Sequence, residues 1–362
     1  AEGTRGVAFE AKVRGYNLLQ DFTTDNQADA MQRHSDEISV SSNSWGAADG
    51  AGLFLAAEYD WKVAVANAQN TGRGGLGTVF VFAGGNGAAT GEYSNLDGYA
   101  SFWRVIAVGA VGDDGKRASY SELGSDLLVS APSMGRASHG ITTIDRSGGL
   151  GFNDGETFGD YQDLDYTRSF NGTSAAAPVV SGVVALMLDA NPNLSWRDVR
   201  WILAHTTRRN DAEDGDWSKN GAGLWVNHKY GFGVVDAAAA VELARSWSSF
   251  PLLWEGGATS WIDVGLPIPD NSSQGVTAAV AIPEWGIHSL EFVALLVSIP
   301  DHPWLADLEI ELESPDGTVS RFTTAHDSPG GSALVPWVEL STTRHIGERE
   351  DGTWLIRVRD LR

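Results

Sequence analysis

The 362-residue sequence predicts an α/β fold with a doubly wound parallel sheet, followed by an all-β sandwich. Up to about residue 247, apolar strand-like runs alternate with helix-like segments, a pattern typical of a parallel sheet covered on both faces. After about Phe250 long helices are absent, proline and glycine become more frequent, and strand-like runs alternate apolar with charged residues. We therefore expect one domain at residues 1–248 and a second at residues 251–362.

Strands and helices are expected to alternate along the first domain. The strands are predicted at residues 11–19, 37–45, 78–86 and 105–111. The helices are predicted at residues 25–35, 52–72, 193–207 and 234–247, and in the apolar stretch that follows Ser174. At the start of one of them, Ser195 and Asp198 have the spacing of a capping-box variant.

In the second domain, strands are predicted where apolar and charged residues alternate strictly. In "DLEIELESPDGT" the apolar face is formed by Leu308, Ile310 and Leu312, and the turn by "SPDGT". The charged face of the same strand consists of Asp307, Glu309, Glu311 and Glu313. In "WLIRVRD" Ile356 and Val358 form the apolar face, and Arg357 and Arg359 form the charged face. We expect the apolar faces to form a sandwich core and the charged faces to be solvated.

The chain is acidic, with 47 Asp and Glu against 25 Lys and Arg and a formal charge of −22. This charge repels phosphate backbones, which argues against nucleic acid as a partner, and it attracts metal ions and basic peptides. With 42% hydrophobic residues the chain can bury a sizeable core. We expect no transmembrane segment, because no apolar run stands out as long enough to span a bilayer.

The candidate nucleophile is Ser174, in "SFNGTSAAAPVVSGVVALML". A hydroxyl becomes a nucleophile when a base lies nearby and N–H donors surround the developing oxyanion. Ser174 stands at the start of a predicted helix, where backbone N–H groups are unpaired and the dipole is positive. Gly172 permits a sharp turn before it. A serine in this position can also be a simple helix cap, so other stretches must decide between the two roles.

A second N–H donor is expected from the loop in "VFVFAGGNGAA". Asn86 follows a buried strand and is flanked by glycines, so its side chain can project at the carboxyl edge of the sheet. Open α/β sheets place their sites at that edge. An Asn between glycines is by itself also typical of a turn.

These stretches together resemble a known protease family. "GTSAAAP" resembles the serine motif of subtilisin-like proteases. Five further stretches resemble the kexin and furin branch of that family, the proprotein convertases. They are "SSNSWG", "GRGGLGTVFVFAGGNG", "DGYAS", "NPNLSWRDVRWIL" and "HKYGFGVVDAAAAV". "DLEIELESPDGT" and "DGTWLIRV" resemble the P-domain of that branch, and "GITTIDRSGGLGF" looks more like its bacterial members. The resemblance implies a partial subtilisin-like domain followed by a partial P-domain.

The resemblance implies a serine endopeptidase with Ser174 as the acyl nucleophile. The Asn86 amide and the Ser174 backbone N–H are then the oxyanion hole. The order of functional residues in the family is Asp, His, Asn, Ser. Asp113 and His139 mimic the first two motifs but follow Asn86, so we reject them and expect the triad Asp and His to precede residue 1. The chain alone is then expected to be nearly inactive.

The resemblance also implies cleavage after Arg or Lys. By position, Asp49 and Asp97 match the acids of the specificity pocket, and Trp45 and Tyr99 are expected to bind substrate beside them. Phe22 and the "LFL" stretch stand where the family has acids that read residues further from the cut. This argues against a strict multibasic specificity.

A calcium ion behind the specificity pocket is implied by the same resemblance. By position, Asp49, Glu92 and Glu122 match its ligands. Carboxylate oxygens from three loops suit Ca²⁺. Glu92 stands where the family more often has Asp.

The sequence leaves three functions open. The first is a secreted, extracellular or periplasmic calcium-dependent endopeptidase of the kexin/furin type, a monomer acting on proteins with basic residues. The second is a broad-specificity subtilisin, which a substrate scan distinguishes from the first. The third is a catalytically dead binding or scaffold protein that uses its P-domain. An upstream Asp-x-Gly and His-Gly-Thr would favour an enzyme.

Overall fold

A computed structural model describes residues 4–135, 139–156, 159–250, 259–286, 289–300, 302, 304–328 and 337–362. Its first part contains the strands β1 (Val40–Asn43), β2 (Val79–Ala83), β3 (Ile106–Val111) and β4 (Leu127–Pro132). These four form a parallel sheet in the order β1-β2-β3-β4. Two antiparallel pairs follow: β5 (Ile141–Ile144) with β6 (Tyr166–Phe170), and β7 (Ser218–Lys219) with β8 (Trp225–Val226).

Helices cover both faces of this sheet. They are α1 (Thr24–Gln32), α2 (Tyr59–Thr71), α3 (Thr173–Ala190), α4 (Trp196–Thr206) and α5 (Ala237–Ser246). Short 3-10 helices lie at Leu18–Gln20, Gly72–Gly75, Ala88–Thr90 and Ser94–Leu96. The α4 helix begins with the predicted capping box, in which Ser195 and Asp198 bond to each other's backbone N–H. The doubly wound parallel sheet is confirmed.

Strand β2 shows why the apolar runs of the sequence are uninterrupted. Val79 and Val81 pack into a core with helix α3, whereas Phe80 and Phe82 pack into a second core with Trp61 of helix α2. Successive side chains of a strand point to opposite faces, so a strand covered on both sides must be apolar at every position.

Two predicted elements differ from the structure. Residues 11–17 contain no strand, and Val13 is 94% exposed. Charged neighbours on both sides leave this single apolar residue without a face to bury. The helix predicted from residue 52 begins only at Tyr59. The residues before it are extended because Leu55 pairs through its backbone with Leu96 and Gly98.

Helix α3 corrects the expectation that no segment is long and apolar enough to span a membrane. Its 18 residues have a mean hydropathy of 1.5, which meets that test by length and composition. In the described part of the chain it is the only helix to do so. Here it packs against all four strands of the sheet and is 56% buried, as expected for a core helix.

The second part is an all-β sandwich, as predicted. Its strands are β9 (Val276–Ile282), β10 (Val293–Val297), β11 (Leu308–Glu313), β12 (Val319–Thr323), β13 (Val338–Thr342) and β14 (Gly352–Asp360). One antiparallel sheet has the order β12-β11-β14-β9, and β10 pairs with β13 in another. The two sheets share one core, in which Ile310, Phe322 and Leu340 are fully buried.

On the charged face of β11, Glu311 is buried, which corrects the prediction that this face is solvated, whereas Asp307, Glu309 and Glu313 are half-buried. Glu311 is 5% exposed, and its carboxylate lies 2.9 Å from Arg321 Nη2 and 2.8 Å from Arg359 Nη1. Burial would raise the pKa of Glu311, but hydrogen bonds and charge from these arginines outweigh it and lower the pKa. The arginines stand on the neighbouring strands β12 and β14, so the charges neutralise each other across the sheet. The apolar face, with Leu308, Ile310 and Leu312, is buried as predicted.

The two parts meet in an interface that is both polar and apolar. Asn95 Nδ2 donates to the Ser341 carbonyl oxygen (2.7 Å), and Tyr93 and Leu96 pack into the core of the sandwich. The predicted domain limits, 1–248 and 251–362, stay a prediction. Their junction adjoins residues 251–258, which lie outside the described residues.

Candidate active site

Ser174 is the second residue of helix α3. The N-cap residue before the helix, Gly172, has φ 82° and ψ 169°, a conformation that favours glycine. The first N–H groups of a helix have no partner within it. Among the described residues no acceptor bonds the Ser174 N–H, so this group is free to donate to a ligand.

A cavity of about 490 Å³ opens beside Ser174. It is lined by Ser44, Asn86, Tyr120, Phe152, Phe170, Asn171, Gly172 and Ser174. Ser44 and Asn86 follow the adjacent strands β1 and β2, so the cavity lies at the carboxyl edge of the parallel sheet. Ser44 Oγ also donates to the Ser174 carbonyl oxygen (2.9 Å), which fixes the first turn of helix α3.

The Asn86 side chain is held in one orientation. Its Oδ1 accepts from the Thr173 N–H (2.8 Å) and from the Thr173 hydroxyl (3.0 Å). Its Nδ2 lies 3.3 Å from Asp49 Oδ2, and its backbone N–H donates to Asp49 Oδ1 (2.7 Å). Because Oδ1 faces two donors, Nδ2 is the donor end, and it has a second hydrogen for a ligand. Asn86 and Ser174 therefore present N–H donors to the same cavity.

The glycines around Asn86 make room for two carboxylates. A Cβ at Gly87 would lie 1.6 Å from Glu92 Oε2 and 3.0 Å from Glu122 Oε1. Gly85 has φ +95°, and a Cβ there would lie 2.4 Å from Glu122 Oε1. The spacing in "GGNG" is thus required by the acids that pack against this loop.

Asp97 is a buried acid beneath Gly46. Its carboxylate accepts from the Ala47 N–H (2.8 Å) and from the Tyr99 N–H (2.8 Å). A Cβ at Gly46 would lie 2.1 Å from Asp97 Oδ2, so glycine keeps this approach open. Burial raises the pKa of Asp97 to about 6, and the N–H bonds only partly offset it.

The two aromatic residues predicted to bind substrate lie at different depths. Trp45 is half-buried, and its ring makes edge-to-face contacts with Phe22 and Tyr99, at centroid distances of 5.4 and 5.1 Å. Tyr99 is 4% exposed, and its hydroxyl donates to Gln27 Oε1 (2.6 Å). Tyr99 thus supports Trp45 from beneath. Contact of either with a substrate stays a prediction.

The three acids matched to calcium converge around the Asn86 loop. Glu122 accepts from the Gly87 N–H (2.7 Å), and Glu92 accepts from the Gly50 N–H (2.7 Å). Burial, followed by the negative charges of Glu92, Asp49 and Asp97, raises the pKa of Glu122 well above its usual range. No Lys or Arg among the described residues forms an ion pair with these acids.

The carboxylates of these acids are suitable calcium ligands, but their side chains are not arranged in a complete coordination geometry. Within the described ranges no three His, Asp or Glu side chains are arranged as a metal site. Backbone N–H groups bond to each of the three carboxylates. A carboxylate oxygen keeps a second lone pair, and Ca²⁺ prefers such hard oxygen ligands.

The two rejected triad mimics lie close together at the surface. His139 Nδ1 lies 2.7 Å from Asp113 Oδ2, and neither residue lines the cavity beside Ser174. In the part of the chain that the structure describes, no histidine hydrogen-bonds to Ser174. The upstream position of the triad His and Asp stays a prediction.

Two aromatic residues of the cavity were missed by the sequence analysis. Phe152 and Phe170 meet edge to face at 5.5 Å and form one wall. Phe170 stands four residues before Ser174, and its place in the serine motif could have pointed to it. Phe152 is the last residue of "GITTIDRSGGLGF", between β5 and β6, and nothing in that stretch indicates that it lies beside Ser174.

Two family models match the chain. The Subtilase family model matches residues 1–233, and the proprotein convertase P-domain model matches residues 290–362.

Similar proteins come from animals and bacteria. The chain is 35% identical over 368 residues to PC3-like endoprotease variant B of Hydra vulgaris, covering 98% of this chain and 49% of that protein. It is 32% identical over 366 residues to neuroendocrine convertase 2 of Drosophila melanogaster, covering 98% and 53%. The chain thus spans about half the length of these curated relatives. The solved serine protease of Aeromonas sobria superposes with a TM-score of 0.83 at 27% identity, covering 99% of this chain and 72% of that one.

Proposed function

Because this chain belongs to the subtilase family and carries a proprotein convertase P-domain, we propose that the complete protein is a serine endopeptidase. The observation that carries the proposal is the shared cavity of Ser174 and Asn86, each with an N–H donor free for a ligand. The similar proteins are named as an endoprotease, a convertase and a serine protease, which agrees with this chemistry.

In the proposed reaction Ser174 Oγ attacks the carbonyl carbon of the scissile peptide bond. Its proton passes to a base, for which we propose a His upstream of this chain. The carbonyl electron pair moves onto oxygen, where the Ser174 N–H and Asn86 Nδ2–H stabilise it. The C–N bond then breaks as the base returns the proton to the leaving amine, and water releases the acyl group in the same way.

Substituting Asn86 by Ala is expected to lower kcat by about 10²–10³ while KM changes little, as known for the equivalent donor in subtilisin. The donor acts on the oxyanion, which exists only along the reaction path. Steady-state kinetics on the complete protein measure the effect, with Asn67→Ala on the exposed face of helix α2 as the control. A fall of less than about tenfold would remove Asn86 from the oxyanion hole.

For the substrate, we propose cleavage after Arg or Lys. Asp97 is buried, and no cation among the residues that the structure describes pairs with it; Asp49 lies on the neighbouring loop beside Asn86. A basic side chain supplies the missing partner, whereas a neutral one leaves the buried acid unpaired. Phe22 packs on Trp45 and supplies no acid to bind a second basic residue of the substrate. This supports a weaker preference for basic residues further from the cleaved bond.

At the residue before the cleaved bond, the preference for Arg over Leu is expected to rise as the pH increases through about 6. Below this pH the Asp97 carboxyl is neutral, because burial raises its pKa to about 6, and above it the carboxylate can pair with Arg. The measurement is the kcat/KM for an Arg peptide divided by that for a Leu peptide, at each pH. Titration of the catalytic base affects both peptides equally, so its effect cancels in this ratio. In Asp97→Asn the ratio should be lower and flat with pH.

A peptide-library digest tests the same proposal without assuming a sequence. Enrichment of Arg or Lys before the cut supports a kexin-like specificity. Cleavage without that enrichment favours the broad-specificity subtilisin. No cleavage by the complete protein favours the binding or scaffold protein.

We propose that calcium is held by Asp49, Glu92 and Glu122. The support is the cluster of negative charges around the Asn86 loop, in which Glu92 and Glu122 are buried and Asp49 lies at the surface. None of the three has a cationic partner among the described residues. Bound calcium would neutralise them and fix the loop. We also propose secretion to an extracellular or periplasmic space, where calcium is available to this site.

Calcium is expected to raise the melting temperature of the chain, and Glu122→Gln should abolish that shift. The amide keeps the size of the side chain but removes the charge that the ion needs. Scanning calorimetry with and without a chelator measures it, with Glu58→Gln at an exposed position as the control. An equal calcium shift in both variants would place the ion elsewhere.

A further inference from the structure

A segment of the P-domain, Thr324–Ser328, lies against two loops of the catalytic part. The Asp327 N–H donates to the Thr90 carbonyl oxygen (3.0 Å), and Ser328 Oγ donates to the Ala51 carbonyl oxygen (3.5 Å). Thr90 and Ala51 each lie two residues from an acid of the proposed site, Glu92 and Asp49. The P-domain therefore reaches the loops that form the site.

Two glycines let the backbones approach closely at this contact. Gly52 has φ +64°, and a Cβ there would lie 2.3 Å from the Asp327 carbonyl oxygen. A Cβ at Gly91 would lie 3.0 Å from His326 Cβ. No larger residue fits at Gly52 without displacing the P-domain backbone, so the fit between the two parts is tight.

His326 is the central side chain of this contact and is 2% exposed. Its Nε2 lies 3.2 Å from the Gly52 carbonyl oxygen, across the interface. Within the P-domain its Nδ1 lies 2.8 Å from the Thr324 carbonyl oxygen, and its backbone N–H donates to Ala306. Both oxygens are acceptors and a neutral imidazole has one N–H, so the ring bonds to Gly52 in the tautomer that carries its proton on Nε2. The backbone N–H then holds His326 in the P-domain.

The loop that His326 contacts continues directly to the oxyanion donor. The N–H groups of Gly50 and Gly52 donate to the Glu92 carboxylate. The preceding residue, Asp49, accepts from the Asn86 backbone N–H and lies 3.3 Å from its Nδ2. The loop Asp49–Gly52 is therefore held by Glu92 on one side and by His326 on the other.

We propose that His326 is a positioning residue of the active site. From the P-domain, it holds the loop Asp49–Gly52 in the arrangement that orients the Asn86 amide and Asp49. Asn86 and Asp49 have their roles from the proposed function, on which this inference rests. The P-domain then contributes to catalysis through a defined contact, in addition to covering apolar surface.

Hydrogen exchange of the chain tests the contact without any catalysis. In His326→Ala the Gly50 and Gly52 amides should exchange about tenfold faster, because the loop loses its contact with the buried His326 ring. The control is His302→Ala, which removes a P-domain histidine paired with Asp360, away from this loop. Unchanged exchange in His326→Ala, with both variants folded, overturns the proposal. If His326→Ala does not fold, His326→Gln, which keeps an N–H donor of similar reach, is compared with His326→Leu.

Kinetics on the complete protein test the consequence. We expect His326→Ala to lower kcat about tenfold with little change in KM, and His326→Gln to recover part of it. His302→Ala should keep the wild-type values. If the wild type does not cleave, the proposed function fails, while the exchange result still decides the contact. If the wild type cleaves and His326→Ala matches it in kcat, His326 does not position the site.

Discussion

Substituting Ser174 by Ala should abolish both hydrolysis by the complete protein and its labelling by a fluorophosphonate probe. The expected loss in kcat is about 10⁶, the size known for the nucleophile of subtilisin. Ser174 lies in the first turn of helix α3, beside the cavity and next to the Asn86 amide. The other two hydroxyls that line the cavity are engaged elsewhere, because Ser44 donates to the Ser174 carbonyl oxygen and Tyr120 bonds to the Met134 carbonyl oxygen. Mass spectrometry of the labelled peptide identifies the serine that reacts.

The control for this experiment lies on the same helix. Ser181 is buried two turns further along, where its Oγ lies 3.0 Å from Ser42 Oγ. Ser181→Ala should keep labelling and hydrolysis, because it touches neither the cavity nor Asn86. Labelling that persists in Ser174→Ala would falsify the assignment of the nucleophile.

Substituting Ile310 by Asp should destabilise the P-domain by about 3–5 kcal/mol. Ile310 is fully buried on β11, in the core shared by the two sheets of the sandwich. The described residues that form this core are apolar, so the charge of an Asp there is buried unpaired. The lowest melting transition of the chain is expected to fall by about 10 °C or more in scanning calorimetry.

A matched control introduces the same residue on the outer face of the same sheet. Ala279 is exposed on β9, opposite Leu355 of β14. Ala279→Asp should change the stability by less than about 0.5 kcal/mol, because its carboxylate stays solvated. Equal effects of the two substitutions would mean that the register of the strands is wrong. Glu311 is not a suitable control, since it is buried and paired with two arginines.

Much of the site could be predicted because its residues stand in long motifs next to elements with clear periodicity. Ser174 was placed at a helix start by the glycine before it and by the apolar run after it. The structure brings Asn86 to the same cavity, and it brings Glu92 and Glu122 against the glycines that flank Asn86. Phe152 could not be found, because its role depends on how the β5–β6 segment folds back over the cavity.

Other residues show where local pattern is insufficient. Glu311 alternates with apolar residues, which predicts a solvated face, yet arginines on adjacent strands make its burial tolerable. Residues 52–58 have a helical pattern, but backbone pairing with Leu96 and Gly98 holds them extended. In both cases partners distant in sequence decide the outcome.

The sequence by itself determined the fold class, the alternation of the sheet and its helices, the sandwich core and the residues of the serine motif. It could do so because periodicity and turn chemistry act between neighbours in the chain. Only the tertiary structure decided that Asp97 is buried beneath Gly46, that Tyr99 lies behind Trp45, and that His326 reaches Gly52. Burial and close approach depend on contacts between segments that lie far apart in the sequence. The local pattern around any one residue therefore does not predict these contacts.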